Sequence, residues 1–153
     1  MRLRRFLISD PMARRTLLDF ENDAKSGEIA VTEWELDHVQ VAMPAGSESA
    51  CDAFYEQLLG FEIVEKPAPL RQRGGRWYRR GAIVVHLGVD PDFRPARKAH
   101  LALRVDRYEE LLGRLEAAGC DVLPDRELEG VRRCYVADPN GNRLELIDIT
   151  SGR

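Results

Sequence analysis

The chain has 153 residues, 44% apolar and 32% charged, with a formal net charge of −3. That is one ordinary domain, or a domain with a short extension, and it carries enough apolar residues for a core. The balanced charge gives no reason to expect nucleic acid or a membrane as partner, and no apolar run approaches the ~20 residues of a membrane helix.

Met1 to Ile8 is basic and then briefly apolar. It lacks an apolar stretch of ~7–15 residues and a small-residue cleavage site, so no secretory leader is expected. Cys51, Cys120 and Cys134 are odd in number and show no CxxC spacing. They fit reduced thiols in a cytoplasmic protein and read as small apolar packing residues.

Residues 1–34 stand apart as an extension. Asp10-Pro11 reads as an N-cap with proline at the first helical position, and Leu17, Leu18 and Phe20 give a short helix an apolar face that ends near Lys25-Ser26-Gly27. Too small to form a core alone, this segment is expected to dock on the main domain or on a second subunit.

A first strand is predicted at about 35–42, with His38, Gln40 and Ala42 on one face and Val39 and Val41 on the other. A helix follows at about 48–59, with Ala50, Phe54 and either Leu58 or Leu59 at helical spacing and Gly60 as its stop. Phe61–Val64, Arg76–Arg79 and Ile83–Val89 read as strands, the last with Val84, His86 and Gly88 on one face. The stretches 65–76, 90–98 and 124–131 read as loops. The order then repeats: a strand at about 99–105 with His100, Ala102 and Arg104 on one face, a helix at 107–118 closed by Gly119, and strands at 121–123, 132–136 and 143–149. The last two strands flank an Asp138-Pro139-Asn140-Gly141-Asn142 hairpin turn. The fold expected is therefore α+β: two βαβββ repeats (35–90 and 98–150, within a domain at 35–150) forming a cupped, half-barrel-like mixed sheet, preceded by the helical extension.

Three histidines are all the chain has, and they fall at matched places in the two repeats. His38 and His100 lie in the first strand of each, and His86 in the last strand of the first repeat has Glu145 as its counterpart in the second. Imidazole and carboxylate are divalent-metal donors. A polar residue pointing inward from an otherwise apolar strand needs a partner, and one shared cation would serve all four. The predicted metal ligands are thus His38, His86, His100 and Glu145. The basic run at 71–80, with Arg94, Arg97 and Lys98 beyond it, is either a solvated surface or a source of arginines for a carboxylate or phosphate at the cup mouth, with Trp77 as an aromatic wall.

The motifs Asp37-His38-Val39-Gln40, Phe54-Tyr55-Glu56-Gln57-Leu58-Leu59-Gly60-Phe61, Ala99-His100-Leu101-Ala102-Leu103 and Asp138-Pro139-Asn140-Gly141-Asn142-Arg143-Leu144-Glu145-Leu146 resemble those of the vicinal oxygen chelate superfamily. That group includes glyoxalase I, methylmalonyl-CoA epimerase, fosfomycin-modifying thiol transferases, extradiol dioxygenases and bleomycin resistance proteins. The resemblance spans about residues 35–150 and implies a divalent ion (Zn, Ni, Mn, Co or Fe(II)) on those four positions, of which the one held by His86 varies most across the superfamily. It also implies a homodimer acting on a small molecule.

The function expected is a metal-dependent lyase or isomerase whose small, oxygenated, anionic substrate chelates the metal. Glu145 would be its general base, with Gln40, Trp77, Tyr78, Arg104 and Tyr135 around the substrate. The alternatives are an extradiol-type dioxygenase, with His38, His100 and Glu145 as a facial triad, and a non-catalytic protein that holds an antibiotic or metabolite, with thiol transfer to fosfomycin-like compounds as a smaller one.

Overall fold

Two stretches of period-two alternation organise the molecule. The computed structural model describes residues 32–152, and the expected N-terminal helix lies outside them. The first module runs β1 (Val39–Met43), α1 (Glu48–Cys51), a π-helical stretch (Asp52–Leu58), β2 (Glu62–Val64), α2 (Ala68–Arg71), β3 (Arg76–Arg80) and β4 (Ile83–Val89). The second runs β5 (Leu101–Val105), α3 (Tyr108–Ala117), β6 (Leu123–Asp125), β7 (Arg133–Ala137) and β8 (Arg143–Asp148). Each module makes an open four-stranded sheet, in the orders β1-β4-β3-β2 and β5-β8-β7-β6. In each, the first strand pairs parallel to the last and the other pairings are antiparallel.

The helix expected at 48–59 is present but changes winding at Asp52. Cys51, Phe54, Tyr55 and Leu59 are all buried on it, and the wider π turn accommodates two consecutive aromatic residues facing inward. Within the expected loop at 65–76 the chain forms the short α2. Pro67 caps it and Pro69 lies in its first turn, where a missing N–H costs nothing. The turn before β3 needs glycine: Gly75 has φ +79°, and a Cβ there would run into the Leu87 carbonyl oxygen.

The core lies on the helix side of the sheets. Met43, Tyr78, Val85 and Leu87 from the first sheet and Leu103, Cys134, Val136, Leu144 and Leu146 from the second join Phe54, Tyr55, Leu111 and Leu115 in one apolar cluster. The opposite faces of β1 and β5 are open, with His38, Gln40, Ala102 and Arg104 exposed.

The modules are tied by the Asp138–Asn142 turn. Gly141 takes φ +82°, and the Asp138 carboxylate accepts from the backbone N–H groups of Asn140 and Asn142. The buried Asn142 amide accepts from the Ala96 N–H at 2.9 Å and donates to Ala42 O of β1 and to Asp138 Oδ2, each at 2.9 Å. The Tyr55 hydroxyl donates to the same Asp138 carboxylate at 3.3 Å. The second module's turn is therefore held by groups of the first.

Replacing Asn142 by alanine leaves a donor and two acceptors unmet where water has little access. The loss expected is about 3 kcal/mol, since each unmet buried group costs roughly 1–3 kcal/mol. It should appear as a lower urea midpoint at unchanged slope.

Candidate metal and substrate site

On the open face of the first sheet, register places Gln40, His86 and Trp77 in one row across β1, β4 and β3. His38 precedes β1 on the same face. The His86 ring is sandwiched: Trp77 stacks on one neighbour side at 3.9 Å and 8°, and His38 at 4.1 Å and 27°. Burial holds the His86 imidazole below the usual histidine range, and the His38 charge and, to a smaller extent, that of Lys66 act in the same direction, against Asp37. His86 is thus neutral near pH 7, the state a metal takes. His38 Nδ1 lies 2.5 Å from Asp37 Oδ1. A carboxylate only accepts, so Nδ1 carries the proton and Nε2 is the nitrogen left to a ligand. The same hydrogen bond, followed by the His38 charge, holds the Asp37 carboxyl below its ordinary value.

The second sheet repeats the row with Ala102, Glu145 and Tyr135. His100 Nε2 lies 2.9 Å from Glu145 Oε2, and His100 Nδ1 lies 2.8 Å from the Lys98 carbonyl. The carbonyl fixes the proton on Nδ1. Nε2 is then the nitrogen turned toward the carboxylate oxygen. An imidazole nitrogen and a carboxylate oxygen side by side are donors that fit a divalent ion. The other Glu145 oxygen accepts from Arg133 Nη1 at 2.9 Å, while Arg133 Nη2 donates to Asp125 Oδ1 at 3.1 Å. Glu145 is 6% exposed, and a carboxylate so buried needs such partners. The Tyr135 ring meets the edge of His100 at 5.7 Å and carries Arg143 over it at 4.9 Å.

The structure brings His38 to His86, and His100 to Glu145. Among the described residues no three His, Cys, Asp or Glu side chains group as a metal would need, so the two pairs stand as separate halves. Trp77 and Gln40 join the first half and Tyr135 joins the second. Tyr78 goes to the other face of β3: it is fully buried, stacks on Tyr55 at 5.0 Å and donates to Asp52 at 2.8 Å. Burial, with the Asp52 acceptor second, raises its hydroxyl pKa far above the usual tyrosine value. The Arg104 guanidinium runs to the carbonyls of Ile149 and Ser151, away from the His100–Glu145 pair. Arg133 and Asp125 were not foreseen from the sequence. The signal for Arg133 was present in strand parity, because it sits two residues from Tyr135 on the same face.

The model of the glyoxalase-like domain matches residues 38–147. No curated protein matches the chain. Among solved structures, a glyoxalase family protein from Bacillus anthracis is 39% identical, covers 78% of this chain and 98% of its own, and superposes with a TM-score of 0.74. A lactoylglutathione lyase from Agrobacterium tumefaciens is 23% identical over 72% of this chain and 92% of its own, with a TM-score of 0.55. The fosfomycin resistance protein FosX from Listeria monocytogenes is 15% identical over 78% and 96%, with a TM-score of 0.62. These last two show likeness of fold. The motif-bearing modules, their strand order and the matched residues together place the chain in the glyoxalase-like domain family of the vicinal oxygen chelate superfamily.

Proposed function

We propose that this protein is a metal-dependent lyase or isomerase acting on a small, oxygenated, anionic substrate, with a metal held by His38 and His86 of one copy and His100 and Glu145 of a second. The observation that carries this reading is the presentation of the donors. Each half offers two of them on one sheet face, and in both histidines that precede a first strand an oxygen acceptor takes the Nδ1 proton and leaves Nε2 for a ligand. β1 and β5 each end their sheet order, so a two-fold pairing of copies would set one half against the other.

A divalent ion held by these four residues would supply Lewis-acid stabilisation of negative charge developing on a substrate oxygen. The chain's own groups do the rest. Glu145 accepts the substrate proton at a carboxylate oxygen. Arg133, bridging Glu145 and Asp125, fixes the direction in which that carboxylate points. Trp77 and Tyr135 wall the two halves and keep water from the charge being formed.

One observation favours a second reading, that of a non-catalytic binding protein. Both Glu145 oxygens already have partners in Arg133 and His100, so this carboxylate is paired without a metal. Ligand binding unaffected by chelator, with the ligand recovered unchanged, would select it.

Elemental analysis of untagged protein should find a stoichiometric transition metal that is lost in His100→Ala and in Glu145→Ala. A mixing experiment tests the split. Refolded together, His38→Ala and Glu145→Ala chains should regain metal, because their heterodimer contains one site with all four ligands. If the four ligands belonged to one chain, the mixture would stay empty.

A second prediction concerns pH. His86 has a folded pKa below its unfolded value, so the unfolded chain takes the proton first as pH falls through about 6.5. Metal-free protein should therefore lose stability as pH falls below that value. In His86→Gln the difference in urea midpoint between pH 7.5 and pH 5.5 should shrink.

A further inference from the structure

The basic run at 71–80 divides sharply in the fold. Arg71 pairs with Glu65, Arg76 with Asp52 at 2.7 Å, and the Arg80 guanidinium donates to the Gly60 carbonyl. Arg73 goes elsewhere. With Lys66 it lines a cavity of about 230 Å³ on the open face of the first sheet, whose wall is Trp77 and whose floor includes Gln40 and Gly88. This cavity adjoins His86, since Trp77 stacks on that ring and Gln40 is its register partner.

Three features make it a formed recess. The connection from β2 to β3 that carries both cations is internally bonded: Lys66 Nζ donates to the Gly74 carbonyl, Arg71 Nε donates to the Lys66 carbonyl at 3.0 Å, and the Arg73 N–H donates to Leu70 O at 3.2 Å. Its far end is fastened to α1, where Glu48 accepts from the Gly75 N–H at 2.8 Å. The Gln40 side chain lies across β4 over Gly88, where a Cβ would come within 2.9 Å of Gln40 Nε2. Only glycine leaves space for the amide in that position.

Among the described residues, two cations and no carboxylate line the cavity. Positive charge converging on a recess with an amide donor and an aromatic wall is complementary to an oxyanion. Its volume is below the roughly 300–1,000 Å³ of sites for drug-sized ligands, which suits one anionic group of a ligand that extends beyond it.

We propose that this cavity binds the anionic group of the substrate, a carboxylate, phosphonate or phosphate, with Lys66 and Arg73 as its charges and Gln40 as its amide donor, and thereby sets which end of the substrate lies toward His86. The proposal rests on the enzymatic reading given above for the role of His86. The anion contacts themselves require no metal.

Trp77 provides the readout. The chain has two tryptophans, so a Trp34→Phe background leaves the fluorescence of Trp77 alone. Acetate, methylphosphonate and inorganic phosphate are titrated separately into metal-loaded and metal-stripped protein. A saturable change is expected with at least one probe, and the preferred probe identifies the kind of anion. In Lys66→Ala/Arg73→Ala its dissociation constant should rise about ten-fold or more, as a lost charge-assisted bond implies. Lys66→Arg should recover part of the affinity, and Gly88→Ala, which displaces Gln40, should weaken binding with both charges in place. Unchanged affinity in the double variant, or no response to any probe, overturns the proposal. Metal content measured on the same samples separates the two readings. A protein without metal that still loses anion binding in the double variant would overturn the metal reading and support the cavity. A protein with metal and an unaffected double variant would do the reverse.

Discussion

Everything at the candidate site depends on one constraint, the parallel pairing of the first strand of each module with its last. Gln40 opposite His86 and Ala102 opposite Glu145 are consequences of that register. A parallel pair cannot be closed by a tight turn and needs a crossover of a dozen or more residues. Here the crossover is a helical segment and two further strands. They cover one face of the pair with apolar side chains and leave the other open. Residues far apart in the chain thus reach the same side of adjacent strands, and a one-residue slip would send His86 or Glu145 into the helix-side core.

This also explains what could be read from the sequence. Alternation in Ile83–Val89 and Arg143–Asp148 gives both strands and the faces of His86 and Glu145, because a period of two is a strong signal when one face is buried. The same rule limits the aromatic pair on β3. Trp77 and Tyr78 are neighbours in a strand, so only one of them can face the cup, and the burial of Tyr78 decides for Trp77. The change of winding at Asp52 has no such signature, since it arises from packing Phe54 and Tyr55 inward together. Lys66 and α2 lie in a connection with no periodicity. Their place over the sheet follows from tertiary hydrogen bonds to Gly74 and Glu48 that local sequence does not encode.

The two halves share a backbone plan and differ in electrostatics. The first is an aromatic stack of Trp77, His86 and His38 in which burial favours the neutral imidazole. The second is an ionic cluster in which Glu145 is shared between His100 and Arg133, and Arg133 between Glu145 and Asp125. Repetition at the level of strands has therefore produced one aromatic half and one half built on hydrogen-bonded ionisable groups. On the proposed reading, a cation shared by the two halves would meet three imidazoles and one carboxylate.

Arg133 sharpens this point. A carboxylate so nearly buried needs hydrogen-bond partners. By holding one oxygen of Glu145, Arg133 leaves the other turned toward His100. A lysine at the same place would supply the charge but not the planar fork that spans Glu145 and Asp125 together. The arginine behind the candidate ligands thus fixes the direction of the one carboxylate in the set.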